Sequence, residues 1–307
     1  MKFIDSLQNN VSVASLILRE IRNWYAPFLY RIGLRSFRDI SFNNGDKITI
    51  DGRFVTLSNL QWILRMKRDI PSSVIRYIED GRLMVTLEDG LKFIADGFTL
   101  ETTVKTIDEQ FGLDLYRVKD VSLEGRTVID IGANIGDSAI LFASKGARVY
   151  AFEPVPRCYK GLFENVYING LQDKVVAFNV GLGNEDKVVE VGISPASLIG
   201  FSLIQPSHSK STDNETIRIV EPISFMKENG INSCDLLKVD CEGCEVGLLK
   251  DSSLLSFLRP EKVVVEWHFG NRAAVVERLR GFYSEIEEVP ITEKGDNGLV
   301  FAQDSHF

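Results

Sequence analysis

The stretch Thr127-Val-Ile-Asp-Ile-Gly-Ala-Asn-Ile-Gly-Asp137 decides the fold. It begins as a short apolar run around Asp130, which predicts a buried parallel strand. Glycines at Gly132 and Gly136 and the apolar segment 138–144 follow, and they predict a tight turn and a helix. Glycine lets a ligand approach the backbone, and the first N–H groups of a helix have no partner within it. The stretch therefore predicts a small-molecule site.

The spacing of this turn separates two classes of ligand. A dinucleotide fingerprint reads G-x-G-x-x-G, but Asp130 replaces the first glycine and Gly136 comes one residue late. A carboxylate repels a pyrophosphate and favours an ammonium group, so the turn through Gly132, Asn134 and Gly136 indicates S-adenosylmethionine. Glu153 ends the next predicted strand, at about the 20-residue spacing of an acid that binds ribose hydroxyls. The alternative is a βαβ unit whose acids cap helices.

Composition limits the remaining function classes. The chain has 307 residues and a net charge of −8, which argues against a large nucleic-acid interface. No apolar run approaches the roughly 18 residues of a membrane span, and the N-terminus lacks the apolar region of a signal peptide. We therefore expect a cytoplasmic protein with no transmembrane segment. Its four cysteines are expected to be free thiols.

The pattern divides the chain into two predicted domains. Residues 1–98 are predicted to form an accessory domain of helices and β-hairpins, with one hairpin over 83–95, and residues 99–307 are predicted to form the cofactor-binding domain. Residues 11–36 predict amphipathic helices packed on their own domain or on a partner, with weak peripheral membrane contact as the alternative. A helix interrupted by proline is predicted over 57–78. From residue 125 strands and helices alternate, which predicts a parallel sheet. The turn Gly295-Asp-Asn-Gly298 predicts an antiparallel hairpin that closes the sheet.

Polar side chains end the fourth and fifth predicted strands, where ligands of open α/β sheets bind. These are Asp240 and Glu242 after one strand, and Glu266 and His268 after the other. His268 is the natural general base because its unperturbed pKa is near neutrality; Asp240 and Glu242 are alternative bases or orient the substrate. The alternative for His268 is a purely structural role. Lys238 lies in an apolar strand, so we expect it to pair with Asp240 or Glu242.

Three further features leave alternatives open. Cys241 and Cys244 have C-x-x-C spacing, but no second pair completes a zinc site, and we expect structural thiols rather than a redox motif. The acids Asp240, Glu242 and Glu266 could form a carboxylate site, although no metal is assigned. The Ser/Thr-rich stretch 195–214, which contains His208 as a weaker candidate, is either a substrate rim or a surface excursion.

Four segments together resemble the class I S-adenosylmethionine-dependent methyltransferases and, within them, the FkbM family. They are Val128-Ile-Asp-Ile-Gly-Ala-Asn-Ile-Gly136, Ala151-Phe-Glu-Pro154, Leu237-Lys-Val-Asp-Cys-Glu-Gly243 with Glu245, and Val265-Glu-Trp-His268. The resemblance implies a Rossmann-like, seven-stranded, mostly parallel sheet with one antiparallel strand. It also implies that Asp130 and the glycine turn hold the methionine end, Glu153 the ribose, and the region from Asn179 the adenine.

The resemblance implies O-methylation of a hydroxyl on a small molecule, sugar or glycan, with S-adenosylhomocysteine as the product. An RNA methyltransferase of the same fold is the alternative. Asp240-Cys-Glu-Gly243 stands where amino-methylating enzymes carry an Asn/Asp-Pro-Pro-aromatic motif, which disfavours it. A basic surface built from Arg65, Lys67, Arg68 and Arg76 would favour it. An NAD-dependent oxidoreductase and a non-catalytic scaffold are less consistent with Asp130 and Glu153. The sequence leaves the acceptor and the oligomeric state open.

Overall fold

The protein is described by a computed structural model that covers residues 13–31, 34, 36, 38–49, 57–193, 213–250, 253–292 and 295–304. The chain divides into two compact units, Met1–Lys119 and Asp120–Phe307. The helix that follows residue 98 packs on elements of the first unit. The domain boundary after residue 98 stays a prediction. Most of the predicted loop 195–214, including His208, lies outside the described residues.

The first unit consists of short helices and two small antiparallel sheets. Its elements are α1 (Val13–Glu20), α2 (Ala26–Arg31), β1 (Asp39–Ser41), β2 (Lys47–Thr49), α3 (Leu57–Asp69), β3 (Val74–Tyr77), β4 (Leu83–Thr86), β5 (Lys92–Ala95) and α4 (Leu100–Ile107), followed by the π-helical turn Asp108–Gly112. Strands β1 and β2 pair with each other, and β3, β4 and β5 form a meander. The predicted hairpin is confirmed as β4 and β5.

Two predictions for this unit can be compared directly with the structure. The predicted helix over 57–78 is wrong in its second half, where Val74–Tyr77 is a strand paired with β4. The helix ends at Asp69 because Pro71 lacks an N–H group and disfavours helical backbone at the preceding residue. Helix α1 is amphipathic as predicted, and its Leu16 and Ile17 are buried.

The second unit alternates strands and helices. Its elements are β6 (Thr127–Ile131), α5 (Asp137–Ser144), β7 (Arg148–Phe152), α6 (Pro156–Ile168), β8 (Val175–Phe178), β9 (Gly181–Leu182), β10 (Lys187–Ile193), β11 (Asp213–Val220), α7 (Pro222–Glu228), β12 (Leu236–Val239), α8 (Glu245–Leu248), α9 (Ser253–Leu258), β13 (Lys262–Trp267), α10 (Arg272–Arg280), β14 (Glu285–Pro290) and β15 (Gly298–Gln303).

Seven of these strands form one sheet in the order β14-β15-β13-β12-β6-β7-β8. Strand β15 runs antiparallel to both of its neighbours, and the other pairings are parallel. The predicted fold, a mostly parallel seven-stranded sheet with one antiparallel strand near the edge, is confirmed. Strands β9, β11 and β10 form a separate small sheet.

The central strands of the large sheet position the candidate site. Strand β12 lies between β6 and β13 and is buried along its whole length. The polar residues Asp240 and Glu242 follow directly after its carboxyl end. Because β6, β7, β12 and β13 are parallel, their carboxyl ends lie at the same edge of the sheet. None of the helices in the described ranges combines the length and the apolar character needed to cross a bilayer.

Candidate active site

The turn after β6 has a backbone that requires glycine. Gly132 has a φ of +79°, Asn134 of +48° and Gly136 of +90°. A Cβ atom on Gly132 would collide with the carbonyl oxygen of Asp240, so only glycine allows the turn to approach the end of β12 this closely. The N–H of Asp240 also donates to the carbonyl of Ile131 at 3.0 Å. The glycine turn and Asp240 are therefore in direct contact.

Asp130 and Lys238 form a buried ion pair beneath this turn. The register of β6 and β12 places the two residues opposite each other, and Nζ lies 3.0 Å from Oδ1. Lys238 also donates to the carbonyl of Gly132 at 2.7 Å, and Ser138 donates to Oδ2 of Asp130 at 2.6 Å. Burial disfavours the ammonium group, but Asp130 and Asp240 outweigh it and raise the pKa of Lys238. The pair holds the turn from below.

This geometry refines two predictions. Lys238 does approach Asp240, at 3.7 Å, but its nearer carboxylate is Asp130. Asp130, which was predicted to hold the methionine end of the cofactor, is fully buried, and its side chain is engaged by Lys238 and Ser138. The carboxylate thus acts on the turn through Lys238 and the carbonyl of Gly132.

Glu153 lies at the end of β7 and is tied to the same turn. Its Oε2 accepts from the N–H of Asn134 and its Oε1 from the N–H of Val155, each at 2.8 Å. Burial raises the pKa of Glu153 to about 7, even though both hydrogen bonds favour the charged form. The side-chain amide of Asn179 donates to the carbonyls of Glu153 and Pro154 at 2.9 and 3.1 Å. Asn179 therefore stabilises the end of β7.

These residues fit a nucleoside that carries an amino-acid group. Each carboxylate oxygen of Glu153 accepts one main-chain N–H and has a second acceptor site for a ribose hydroxyl. Helix α5 begins directly after Gly136, an N-cap without a side chain, and the buried Asp137 lies in the first turn of the helix. The N-terminus of that helix favours a carboxylate such as that of a methionine group. The structure thus brings Gly132, Asn134, Gly136 and Glu153 together.

A second cluster forms around His268, which directly follows β13. Its Nε2 atom lies 3.7 Å from Oδ1 of Asp240, 3.3 Å from Oε2 of Glu242 and 3.5 Å from Oε1 of Glu266. The His268 side chain is 2% exposed, whereas these three carboxylates are 19–26% exposed. The four side chains predicted as catalytic therefore converge at one point, with the carboxylates facing solvent.

Glu245 holds the other side of the His268 ring, and sequence reasoning assigned it no role. Its Oε1 lies 2.9 Å from Nδ1 of His268 and accepts from the N–H groups of Cys241 and Gly243. Glu245 is fully buried. One feature of the sequence could have indicated Glu245: it ends the segment from Lys238 to Glu245, which also carries Asp240 and Glu242.

The surrounding carboxylates change the chemistry of His268. Burial disfavours the charged ring, but Glu245, Glu266 and Asp240 together raise the pKa of His268 to about 12. The imidazole therefore carries a proton at neutral pH in this arrangement. A general base needs a neutral ring, so the carboxylates around His268 are better placed to accept a proton than the ring itself.

The loop between β12 and α8 is closed by a disulfide between Cys241 and Cys244, so the prediction of free thiols is wrong for this pair. The two residues between these cysteines, Glu242 and Gly243, have φ values of +54° and +112° and form a tight turn. The turn brings the Cα atoms of Cys241 and Cys244 to 5.5 Å, which is within the range seen in disulfides. Cys158 and Cys234 form no disulfide, as predicted, and both are buried.

The fold is that of a class I methyltransferase, a mostly parallel seven-stranded sheet with one antiparallel strand near the edge. The profile of the Methyltransferase FkbM domain matches residues 130–289, which is slightly more than half of the chain. The chain belongs to the FkbM methyltransferase family. Membership implies S-adenosylmethionine as the methyl donor.

Individual similarities accompany the family match. The chain is 27% identical over 169 residues to methyltransferase sdnD of Sordaria araneosa, a match that covers 45% of this chain and 65% of that protein. The chain thus spans a little under two thirds of the length of this curated relative. A methyltransferase FkbM from Methylobacillus flagellatus KT is similar over 67% of this chain and 55% of that one, at 17% identity and a TM-score of 0.39. A putative rRNA methylase from Clostridium thermocellum is similar over 64% of this chain and 97% of that one, at 14% identity and a TM-score of 0.42.

Proposed function

We propose that this protein is an S-adenosylmethionine-dependent O-methyltransferase that acts on a hydroxyl group of a small molecule, sugar or glycan. The observation that carries the proposal is the contact between the two halves of the site. Gly132 of the glycine turn lies against Asp240, and Asp240 belongs to the carboxylate cluster around His268. An acceptor bound at the cluster would therefore lie next to a methyl donor bound at the turn, and such placement is a main source of rate enhancement in methyl transfer.

The turn and Glu153 would hold the cofactor. In this proposal Glu153 binds the ribose hydroxyls, and the N–H groups at the start of α5 bind the methionine carboxylate. Asp130 acts indirectly, by fixing Lys238 and the carbonyl of Gly132. Asn179 positions the end of β7 beside the adenine. When bound, S-adenosylmethionine supplies an electrophilic methyl group to the acceptor.

The carboxylate cluster would receive the acceptor. An alcohol must lose its proton as its oxygen is methylated, so a base at the cluster is required. Asp240, Glu242 and Glu266 are partly exposed carboxylates that can accept that proton, and Asp240 is the one in contact with the glycine turn. His268 would hold these carboxylates in place rather than take the proton, because they raise its pKa to about 12.

The alternative of an RNA substrate finds less support in the first unit. Of the four basic residues that would favour it, Lys67 is buried and paired with Asp46, and Arg68 is paired with Asp69. Arg65 lies over the ring of Trp62. Only the charges of Lys67 and Arg68 are neutralised within the protein, and such charges contribute little to phosphate binding. Arg65 and Arg76 are exposed, so two of the four basic residues face solvent. Because the basic surface is reduced in this way and the net charge is −8, we place a hydroxylated small molecule or glycan first.

The proposal is tested by product analysis with S-adenosylmethionine that carries a 13C-labelled methyl group. The full chain is incubated with pooled hydroxylated small molecules and glycans, and separately with RNA. A 13C signal of a methoxy group in the first pool supports the proposal. Label only in RNA, or only on nitrogen, would contradict it. His268→Ala and Asp240→Asn proteins should keep cofactor binding and lose most of the turnover, whereas Glu261→Gln, at the opposite end of β13, should retain it.

A further inference from the structure

The ends of β12 and β13 bring together side chains of the kinds that bind metal ions. Asp240, Glu266 and His268 each offer one ligand atom, and these atoms all lie within 4.8 Å of one another. Asp240 and Glu266 are partly buried and His268 is almost fully buried. They come from two neighbouring strands of the rigid sheet, so the backbone fixes their positions.

The spacing of these atoms suits a small divalent ion. Ligands about 2.1 Å from an octahedral ion lie about 3.0 Å apart when adjacent and about 4.2 Å apart when opposite. The Nε2 atom of His268 lies 3.5 Å from Glu266 and 3.7 Å from Asp240. Small rotations of the two carboxylates would bring all three atoms to bonding distance, with no change in the backbone.

The surroundings of His268 match those of a metal-binding histidine. Such a histidine usually donates its second ring N–H to a carboxylate, which fixes the ring and directs the other nitrogen at the ion. Glu245 is placed in this way, 2.9 Å from Nδ1, and is itself held by two main-chain N–H groups. Glu245 is fully buried and lies on the Nδ1 side of the ring, opposite the carboxylates at Nε2. Its placement is an observation independent of the acidic cluster itself.

The charge of the cluster also favours a cation. Three carboxylates, those of Asp240, Glu242 and Glu266, lie within 3.7 Å of Nε2 of His268. The ammonium group of Lys238 reaches Asp240 at 3.7 Å but is shared with Asp130 at 3.0 Å. A divalent ion would offset this concentration of negative charge in a partly buried position.

We propose that Asp240, Glu266 and His268 bind one divalent cation of the Mn²⁺ or Mg²⁺ class. Two carboxylates favour hard ions, and one imidazole is compatible with Mn²⁺. The ion would take the place of the proton on Nε2 of His268, which is released to solvent because a ligating imidazole is neutral. Three protein ligands leave coordination positions for water or for oxygen atoms of an acceptor. The ion would bind and orient the acceptor hydroxyl beside the glycine turn, and this role rests on the proposed function. The binding of the ion itself is independent of that function.

The test is a titration of the metal-stripped full chain with Mn²⁺, followed by the electron paramagnetic resonance signal of the free ion. We expect saturable binding of one ion per chain without cofactor or acceptor. Glu266→Gln and Asp240→Asn should each weaken binding at least tenfold. Glu261→Gln serves as the matched control, because it removes a carboxylate at the other end of the same strand, and it should bind as the wild type does. Far-UV circular dichroism establishes that each variant is folded.

Two results would overturn the proposal. One is a folded wild-type chain that shows no saturable Mn²⁺ binding; the other is binding that is unchanged in both Glu266→Gln and Asp240→Asn. Failure of the proposed function is distinguishable from both results. If Mn²⁺ binds as expected but no hydroxyl is methylated, the function fails and the metal site stands. If a chelator leaves methoxy formation unchanged and no ion binds, the metal site fails and the function stands.

Discussion

The ammonium group of Lys238 lies 3.0 Å from a carboxylate oxygen of Asp130, and the two side chains are 2% and 0% exposed. The same ammonium group donates to the carbonyl of Gly132 and approaches Asp240. One buried cation thus connects the strand that precedes the glycine turn with the strand that ends in the carboxylate cluster. The relationship explains how a lysine is accommodated inside an otherwise apolar strand.

Breaking this pair from one side should be costly. Lys238→Met leaves the Asp130 carboxylate without its cation, and Asp130→Asn leaves a buried ammonium group, so each should lower the free energy of unfolding by about 3–5 kcal/mol. The double variant should lose clearly less than the sum of the two, because no charge is left buried alone. Urea unfolding of the four proteins measures this coupling. Additive losses would show that the two groups do not interact.

An exposed group of ion pairs provides the comparison for these buried substitutions. Arg126 contacts Asp235 and Glu261 at the opposite end of the sheet, where all three side chains are substantially exposed. Exposed ion pairs contribute little because water and salt screen them. Arg126→Met should therefore change the urea midpoint much less than either of the buried substitutions.

Cofactor binding should depend on pH through Glu153. Burial raises the pKa of Glu153 to about 7, and a protonated carboxyl accepts fewer hydrogen bonds from ribose hydroxyls than a carboxylate does. The affinity for S-adenosylmethionine should therefore fall as the pH decreases below about 7, by up to about tenfold per pH unit. Calorimetric titration at several pH values measures the dependence. Glu153→Gln should bind weakly and without this dependence, and an equally steep profile in that variant would exclude Glu153 as its cause.

The same pKa affects stability in the opposite direction. The folded-state pKa of Glu153, about 7, lies above the value of about 4.3 for an unfolded chain. Its contribution to stability is therefore fully present below the unfolded pKa and is lost as the pH rises through about 7. Lower pH should thus stabilise the empty fold through this group while weakening cofactor binding.

Substitution of Gly132 should damage both the fold and the site. Gly132→Ala places a methyl group against the carbonyl oxygen of Asp240 at a φ of +79°. Gly170→Ala is the matched control, because Gly170 has a φ of +65° and a Cβ atom added there would meet no other atom within 4 Å. In the control, the free energy of unfolding should fall only by the cost of left-handed backbone, about 1–2 kcal/mol. In Gly132→Ala it should fall further, and S-adenosylmethionine should bind at least tenfold more weakly. Equal losses in unfolding and calorimetric experiments would contradict this account.

The first unit should carry its own pH dependence at Asp108. Burial, together with the nearby Asp69, raises the pKa of Asp108 to about 8. The stability that this group contributes is present at low pH and is lost as the pH rises through about 8. Asp108→Asn should therefore be more stable than the wild type above pH 8, as measured by urea unfolding on either side of that value. The substitution Glu88→Gln, at an exposed position, should show no such gain.

The fold was predictable because its signals are local. Alternating apolar runs and glycine stops identified β6, β7, β12 and β13, and the turn at 295–298 identified the closing hairpin of β14 and β15. Strand β3 was missed because it has only four residues, which is too short to show the alternation of polar and apolar residues that is typical of a strand. The disulfide was missed because C-x-x-C spacing does not reveal whether the intervening backbone turns tightly enough to join the two thiols.

The site was predictable as a set of residues but not as a set of contacts. Asp240, Glu242, Glu266 and His268 follow strands whose parallel alignment brings them together. The partner of Lys238 depends on the register of β6 against β12, which places it opposite Asp130. The protonation of His268 depends on Glu245, which reaches the ring only because a turn returns the chain to it.

The most direct test of the central claim is calorimetric titration of the full chain with S-adenosylmethionine, S-adenosylhomocysteine and NAD in parallel. We expect saturable binding of both sulfur nucleosides, at one per chain, and no binding of NAD. The Glu153→Gln protein should bind both sulfur nucleosides at least tenfold more weakly. Binding of NAD alone, or binding of S-adenosylmethionine that is unchanged in Glu153→Gln, would contradict the assignment of the glycine turn and Glu153 as the cofactor site.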